Sequence, residues 1–175
     1  MLKQITQLPG SKLVDLENGD TIGEILNWII DPDNKKISAL VVKEAGLLRP
    51  AKVISTIDVI EYGPSIVVVR NQGAIVNLQE VVRLKKLNKY KNKVLGGKII
   101  TASGKNLGVA EDLLFETMDS SIQKIYIKSP LINILNKPDI IISADKIIEI
   151  KPGEITVQDD AGEIQSSKLV DASSS

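Results

Sequence analysis

The sequence predicts an all-β protein of two small tandem β-barrels joined by a linker helix, and three observations carry that prediction. The chain repeats itself: Gly19-Asp20-Thr21-Ile22-Gly23-Glu24 falls on Gly104-Lys105-Asn106-Leu107-Gly108-Val109 at a constant spacing of 85 residues. The register continues without a gap, placing Asp31 on Glu116, Ile37 on Ile122, Val42 on Ile127 and Lys43 on Lys128. That spacing exceeds the period of a solenoid unit, so it marks two copies of one small domain. Within each copy, short β-branched runs alternate with turn residues, and no long helical pattern separates them. A sheet closed on itself removes the edges such strands would leave exposed. Between the copies lies one segment with helical rather than strand periodicity. The resulting division is a first domain over 1–75, a basic linker over 76–93, a second domain over 94–160 and a flexible tail over 161–175.

Each element has its own signal. Lys12-Leu13-Val14-Asp15 reads as a short strand, and Glu17-Asn18-Gly19-Asp20 carries the Asn-Gly pair of a tight hairpin turn. Ile22 to Ile30 is an extended apolar segment holding the only tryptophan, Trp28. Asp31-Pro32-Asp33-Asn34 reads as a turn, with proline presetting φ and Asp or Asn bonding nearby backbone. Strands follow at Ile37–Val42, Val53-Ile54, Ile57–Ile60 and Ile66–Val69, with a turn at Tyr62-Gly63-Pro64. The second copy repeats the series. Lys98–Thr101 matches the first strand after a one-residue shift, and Leu113-Leu114-Phe115 matches Trp28-Ile29-Ile30. Ile122–Ile127, Ile140–Ile142, Ile147–Ile150 and Ile155–Val157 complete it. From Asn77 to Asn92, Leu78, Val81, Val82, Leu84, Leu87 and Tyr90 recur at three- and four-residue intervals, as on one side of a helix. Ser166 to Ser175 is small and polar and is expected to lack order.

Composition narrows the function. Histidine and cysteine are both absent, which removes the commonest general base, the commonest zinc ligand and any thiolate nucleophile or disulfide. A non-enzymatic role is therefore expected, without cofactor, metal or small-molecule substrate. The first residues lack a signal-peptide core, and no apolar run reaches the ~20 residues that span a bilayer. The expected location is cytoplasmic, with peripheral membrane attachment open. The net charge of zero is unevenly spread: −1 over 1–75, +5 over 76–93 and −4 over 94–175. Concentrated positive charge matters more for partners than the total.

The pattern of short strand, glycine-bearing polar turn, hydrophobic-Gly pair, acidic turn and Val/Ile strand stands here as Lys12-Leu13-Val14, Asn18-Gly19-Asp20-Thr21-Ile22-Gly23, Asp31-Pro32-Asp33 and Ser38-Ala39-Leu40-Val41-Val42. The second copy has Lys98-Ile99-Ile100-Thr101, Gly104-Lys105-Asn106-Leu107-Gly108 and Glu111-Asp112-Leu113-Leu114-Phe115. Both copies resemble the PRC-barrel family, and the tandem arrangement is similar to PRC-barrel proteins of cyanobacteria. The resemblance covers roughly residues 5–70 and 92–158. It implies a protein-binding adaptor, with assembly or regulation of photosynthetic or other membrane complexes as one setting. The alternative it implies is a ribosome- or RNA-associated maturation factor. The family has no shared catalytic residues, so none is carried over.

Several residues compete for functional readings. Gly19, Gly23, Gly104 and Gly108 lack a phosphate-loop context and read as turn and bulge glycines. Asp31, Asp33, Asn34, Glu116 and Asp119 suit turn chemistry better than a cation loop, because EF-hand spacing is absent. Glu24, Glu111 and Asp112 read as solvated strand-face charge rather than an acid–base pair. The apolar loops Leu47-Leu48 and Leu131-Ile132-Asn133-Ile134-Leu135 occupy the same place in the two copies. Leu47, Leu48, Leu131, Ile132, Ile134 and Leu135 are the candidates for protein contact. In the linker, Arg83, Lys85, Lys86 and Lys89 are the candidates for electrostatic contact with an anionic membrane surface, RNA or an acidic protein.

Overall fold

A computed structural model describes residues 1–44, 52–91, 93–128 and 140–162. Among these the protein is all-β, with two mixed sheets and one short α-helix. The aliphatic runs form the strands that their alternation demands, and the two copies do so alike. In the first copy these are β2 (Lys12–Asp15), β3 (Thr21–Asp31), β4 (Lys36–Glu44), β5 (Lys52–Ser55), β6 (Val59–Tyr62) and β7 (Ile66–Val69). In the second they are β8 (Lys98–Thr101), β9 (Asn106–Glu116), β10 (Ile122–Lys128), β11 (Ile140–Ser143), β12 (Ile147–Lys151) and β13 (Glu154–Val157). The strand orders are β5-β4-β3-β2-β7-β6 and β11-β10-β9-β8-β13-β12, identical position by position. In each sheet the first and last strands of the copy pair in parallel, β2 with β7 and β8 with β13, while the remaining pairs are antiparallel.

Neither sheet is closed by a ladder between its two end strands. Yet β5 and β6, at opposite ends of the strand order, are joined only by the 3₁₀ turn Thr56–Asp58, and β11 and β12 only by Ala144–Lys146. Each sheet must curl to bring its ends that near. Glycine permits the tightest part of the curl. A Cβ on Gly23 would lie 2.6 Å from the Lys43 carbonyl oxygen, and one on Gly108, at φ +135°, would lie 2.4 Å from that of Lys128. The ladders slip by a residue beside both positions, between Leu13 and Val14 and between Ile99 and Ile100. These are bulge glycines, as the sequence indicates.

Two features depart from the sequence-based division. Residues Leu2–Gln4 form a further strand, β1, which pairs with β9 of the second copy rather than with any strand of the first. The linker is also not one helix. It comprises a 3₁₀ turn at Leu78–Glu80, the helix α1 over Val82–Leu87 and another 3₁₀ turn at Asn88–Tyr90. The break falls at Val81, which is extended (φ −105°, ψ 95°) and supplies no side-chain cap. Adjacent β-branched Val81 and Val82 disfavour an uninterrupted helix. The kink lets both the early and late apolar residues meet the same sheet.

The two copies meet about an approximate two-fold axis. Lys36 pairs with Ser121, its own equivalent at the 85-residue spacing. The Ile37 N–H donates to the Ser120 carbonyl at 2.9 Å, and the Ile122 N–H donates to the Lys35 carbonyl at 2.8 Å. Lys35 and Ser120 both adopt positive φ, 48° and 59°, to turn the chain into this contact. One continuous apolar core draws on both sheets, from Leu13, Ile25, Ile30 and Leu40 to Ile99, Phe115, Ile125 and Ile155. Across it the Tyr62 and Phe115 rings meet edge to face, with centroids 5.2 Å apart.

Candidate functional site

The linker is the region where charge and position combine. A second, smaller apolar cluster sits on the outer face of the first sheet and comprises Ile29, Ala39, Val41, Val53 and Leu84 of α1. Leu78, Val81 and Leu87 pack around it. The helix is therefore held down by its apolar side, which turns Lys85, Lys86 and Lys89 to solvent. Among the described residues these three lysines form no ion pair; the Lys89 ammonium lies 5.2 Å from the centre of the Tyr90 ring. Arg83 behaves differently. Its guanidinium pairs with the buried carboxylate of Asp31 and pins the linker to the turn after β3. Burial pushes the Asp31 carboxyl up, but hydrogen bonds from Asn34 and Arg83 and the guanidinium charge outweigh it and hold it below its usual value.

Beside the linker an open cleft of about 800 Å³ is lined by Lys36, Ser38, Thr56, Asp58, Arg83 and Asp119, among others. Most of its polar groups are already engaged. Lys36 lies 3.6 Å from Asp119, and the Thr56 hydroxyl donates to the Ile37 carbonyl at 2.8 Å. Hydrogen bonds from Ser121, side chain and backbone, hold the Asp119 carboxyl below its usual value, with the Lys36 charge adding to the effect. The cleft is thus braced by internal pairs, and the free charge lies on the linker's outer side.

The acidic turns perform the work their sequence suggests. Asp31 accepts the backbone N–H groups of Asp33 and Asn34 at 3.1 and 3.2 Å and the Asn34 side-chain amide at 2.8 Å. Asp119 accepts from the Ser121 N–H and hydroxyl at 3.0 and 2.6 Å. Glu116, the equivalent of Asp31, pairs with the N-terminal amine of Met1, and hydrogen bonding from that amine holds its carboxyl low. No group of three or more acidic, His or Cys side chains is placed to hold a metal among the described residues. Asp112 corrects the sequence reading. It is buried rather than solvated, accepting the Thr6 hydroxyl at 2.6 Å and the Thr6 N–H at 3.3 Å. Its equivalent, Asn27, bonds the next N–H just as Asp112 does, at 2.8 and 2.7 Å. Glu24 and Glu111 are exposed, as expected.

Sequence reasoning also missed Lys3. Its buried ammonium donates to the Gly63 carbonyl at 2.7 Å and so ties β1 to the first copy while its backbone pairs with the second. Nothing in a three-residue strand signals such a bridge. The apolar candidates Leu47, Leu48, Leu131, Ile132, Ile134 and Leu135 lie outside the described residues. The base of the first of these loops is clamped by an ion pair between Glu44 and Lys52 at 2.9 Å. No protein-family model matches the chain, and no curated protein sequence matches it. No helix among the described residues is long and apolar enough to cross a membrane.

Proposed function

We propose that this chain is a non-enzymatic adaptor that docks an acidic protein surface on its basic linker. The observation that carries this reading is the combination of a clamped backbone and free charge. Leu84 and the Arg83–Asp31 pair fix α1, while Lys85, Lys86 and Lys89 point outward without acidic partners among the described residues. A pre-ordered cationic face loses little entropy on binding and steers an anionic partner over distance. We read each curled sheet as a partly open barrel of PRC type. Identical strand order and the single 3₁₀ turns joining the end strands support that reading, together with the sequence motifs. The resemblance makes a membrane-associated assembly, photosynthetic or otherwise, the first partner to test. RNA is the weaker alternative. Tyr90, the aromatic of the linker, is half-buried against the core, and Trp28 is buried, so neither offers a stacking platform.

The test is affinity capture from native cells with the parent protein and with Lys85→Gln/Lys86→Gln/Lys89→Gln, at low and high salt. Selective loss of a membrane-complex protein from the variant, and from the parent at high salt, is the expected result. Equal retention by both proteins removes the linker from the contact. Recovery of ribosomal proteins in its place transfers the assignment to the RNA-associated reading.

A further inference from the structure

The two copies share strand order and register, but their outer faces are finished differently. In the first, Ile29, Ala39, Val41 and Val53 are buried beneath the linker. At the equivalent places the second presents Leu114, Lys124, Tyr126 and Ile141. Leu114 and Tyr126 are half-buried, Lys124 is exposed, and Ile141 is 48% exposed where Val53 is 0% exposed. The end strand of the sheet differs as well. Val53 exchanges two hydrogen bonds of 2.9 Å with Val76, the residue that leads from the first copy into the linker. Ile141 opposes Tyr126 just as Val53 opposes Val41, so by the same register its N–H and C=O point outward from the end strand of the sheet.

The chain contains a segment that fits this position. A shift of 88 residues carries β7 onto β13, and it also carries the Arg70 N–H to Asp58 carbonyl bond onto that from Gln158 to Lys146. The same shift carries Val53 onto Ile141 and Val76 onto Ile164. It further places Leu169 on Val81 and Val170 on Val82. Three apolar positions that lead into the linker, Val76, Val81 and Val82, are thus repeated after Gly162, whereas Leu78 falls on Ser166 and Leu84 on Ala172. Residues 163–170 carry one acidic side chain, Glu163, and one basic, Lys168, so the segment brings no net charge to a face that carries Lys124.

We propose that residues 163–170 dock on the outer face of β9, β10 and β11, with Ile164 pairing the outer edge of β11 at Ile141 and Leu169 covering Leu114 and Tyr126. The C-terminal segment is then the second copy's counterpart of the linker, and the protein finishes both outer faces with its own chain.

Amide hydrogen exchange resolves this, read as the rate at Ile141 relative to that at Val53, which serves as the internal reference. Three proteins are compared: the full chain, a chain ending at Gly162, and the full chain with Ile164→Asp and Leu169→Asp. The docked segment predicts that the Ile141-to-Val53 ratio rises by about tenfold or more in both variants. It also predicts that a peptide of residues 163–175, added to the shortened chain, restores the ratio. A ratio unchanged by deletion and by the double substitution overturns the proposal. A ratio that instead varies with protein concentration also overturns it, because a second copy then covers the face.

Discussion

At the scale of single residues, equivalent positions do equivalent structural work by different chemistry. Asp31 and Glu116 each end the long strand of their copy and cap the turn that follows. Asp31 takes the Arg83 guanidinium from the linker, whereas Glu116 takes the amine of Met1. Both carboxyls are held below their ordinary values. A carboxylate depressed in this way stabilises the fold above its unfolded value, near pH 4, and that stability is lost as pH falls through the lower folded value. Asp31→Asn is therefore expected to cost about 1 kcal/mol at pH 7, a modest figure because Arg83 is largely exposed and its charge is screened. Below about pH 4 the parent loses that advantage, so the two unfolding free energies converge. Denaturant titrations at pH 7 and pH 3 measure this; a gap that stays constant between them removes Asp31 as the titrating group.

At the scale of elements, the strands and turns were legible because their signals are local. Alternation, an Asn-Gly pair and the acidic turns each specify backbone within a few residues, and the bulge glycines at 23 and 108 repeat in register. The linker was legible only in part. Its three- and four-residue apolar spacing marks the side that packs, but the spacing tolerates a break at Val81 as readily as a continuous helix. The partner of that apolar side, the outer face of β3, β4 and β5, is set by tertiary placement, and no local pattern names it. The same holds for Asp112, whose burial depends on Thr6, 106 residues away. The candidate site followed suit: the basic stretch is visible in the sequence, whereas the pairing of Arg83 with Asp31 and the outward turn of the lysines are not. Leu84 decides that orientation. Leu84→Ala is expected to destabilise the protein by about 2 kcal/mol, at the low end for a buried leucine because the cluster is small and near the surface. Proteolysis should then cut first between Arg83 and Lys89, and an unchanged cleavage pattern would show that Leu84 does not hold the linker.

At the scale of the whole molecule, the repeat is better described as two interlocked halves than as two beads on a linker. The backbone bonds across Lys36 and Ser121 are exchanged symmetrically, as at the interface of a two-fold dimer fused into one chain. The first half also lends a segment to the second: β1 pairs with β9 and Thr6 bonds Asp112, while Lys3 keeps the same segment tied to Gly63 of its own half. The buried core passes through the seam without interruption, joined by Tyr62 and Phe115. Burial pushes the Tyr62 hydroxyl up, with only partial relief from Ser120, as befits a group inside a core rather than in a solvated gap between domains. Such a seam couples the halves in unfolding. Trp28 is the only tryptophan and lies in the first half, so its fluorescence reports on that half alone. Phe115 lies in the second. Phe115→Ala is expected to cost about 3 kcal/mol or more, from lost burial and the cavity left behind. If the halves unfold as one unit, the Trp28 fluorescence midpoint must fall by the same amount as the far-ultraviolet circular dichroism midpoint, in a single transition. If they unfold separately, the circular dichroism curve splits and the Trp28 midpoint stays at its parent value. The shared core and the symmetric hydrogen bonds at Lys35, Ile37, Ser120 and Ile122 favour the first outcome, because opening either half exposes the apolar surface of the other.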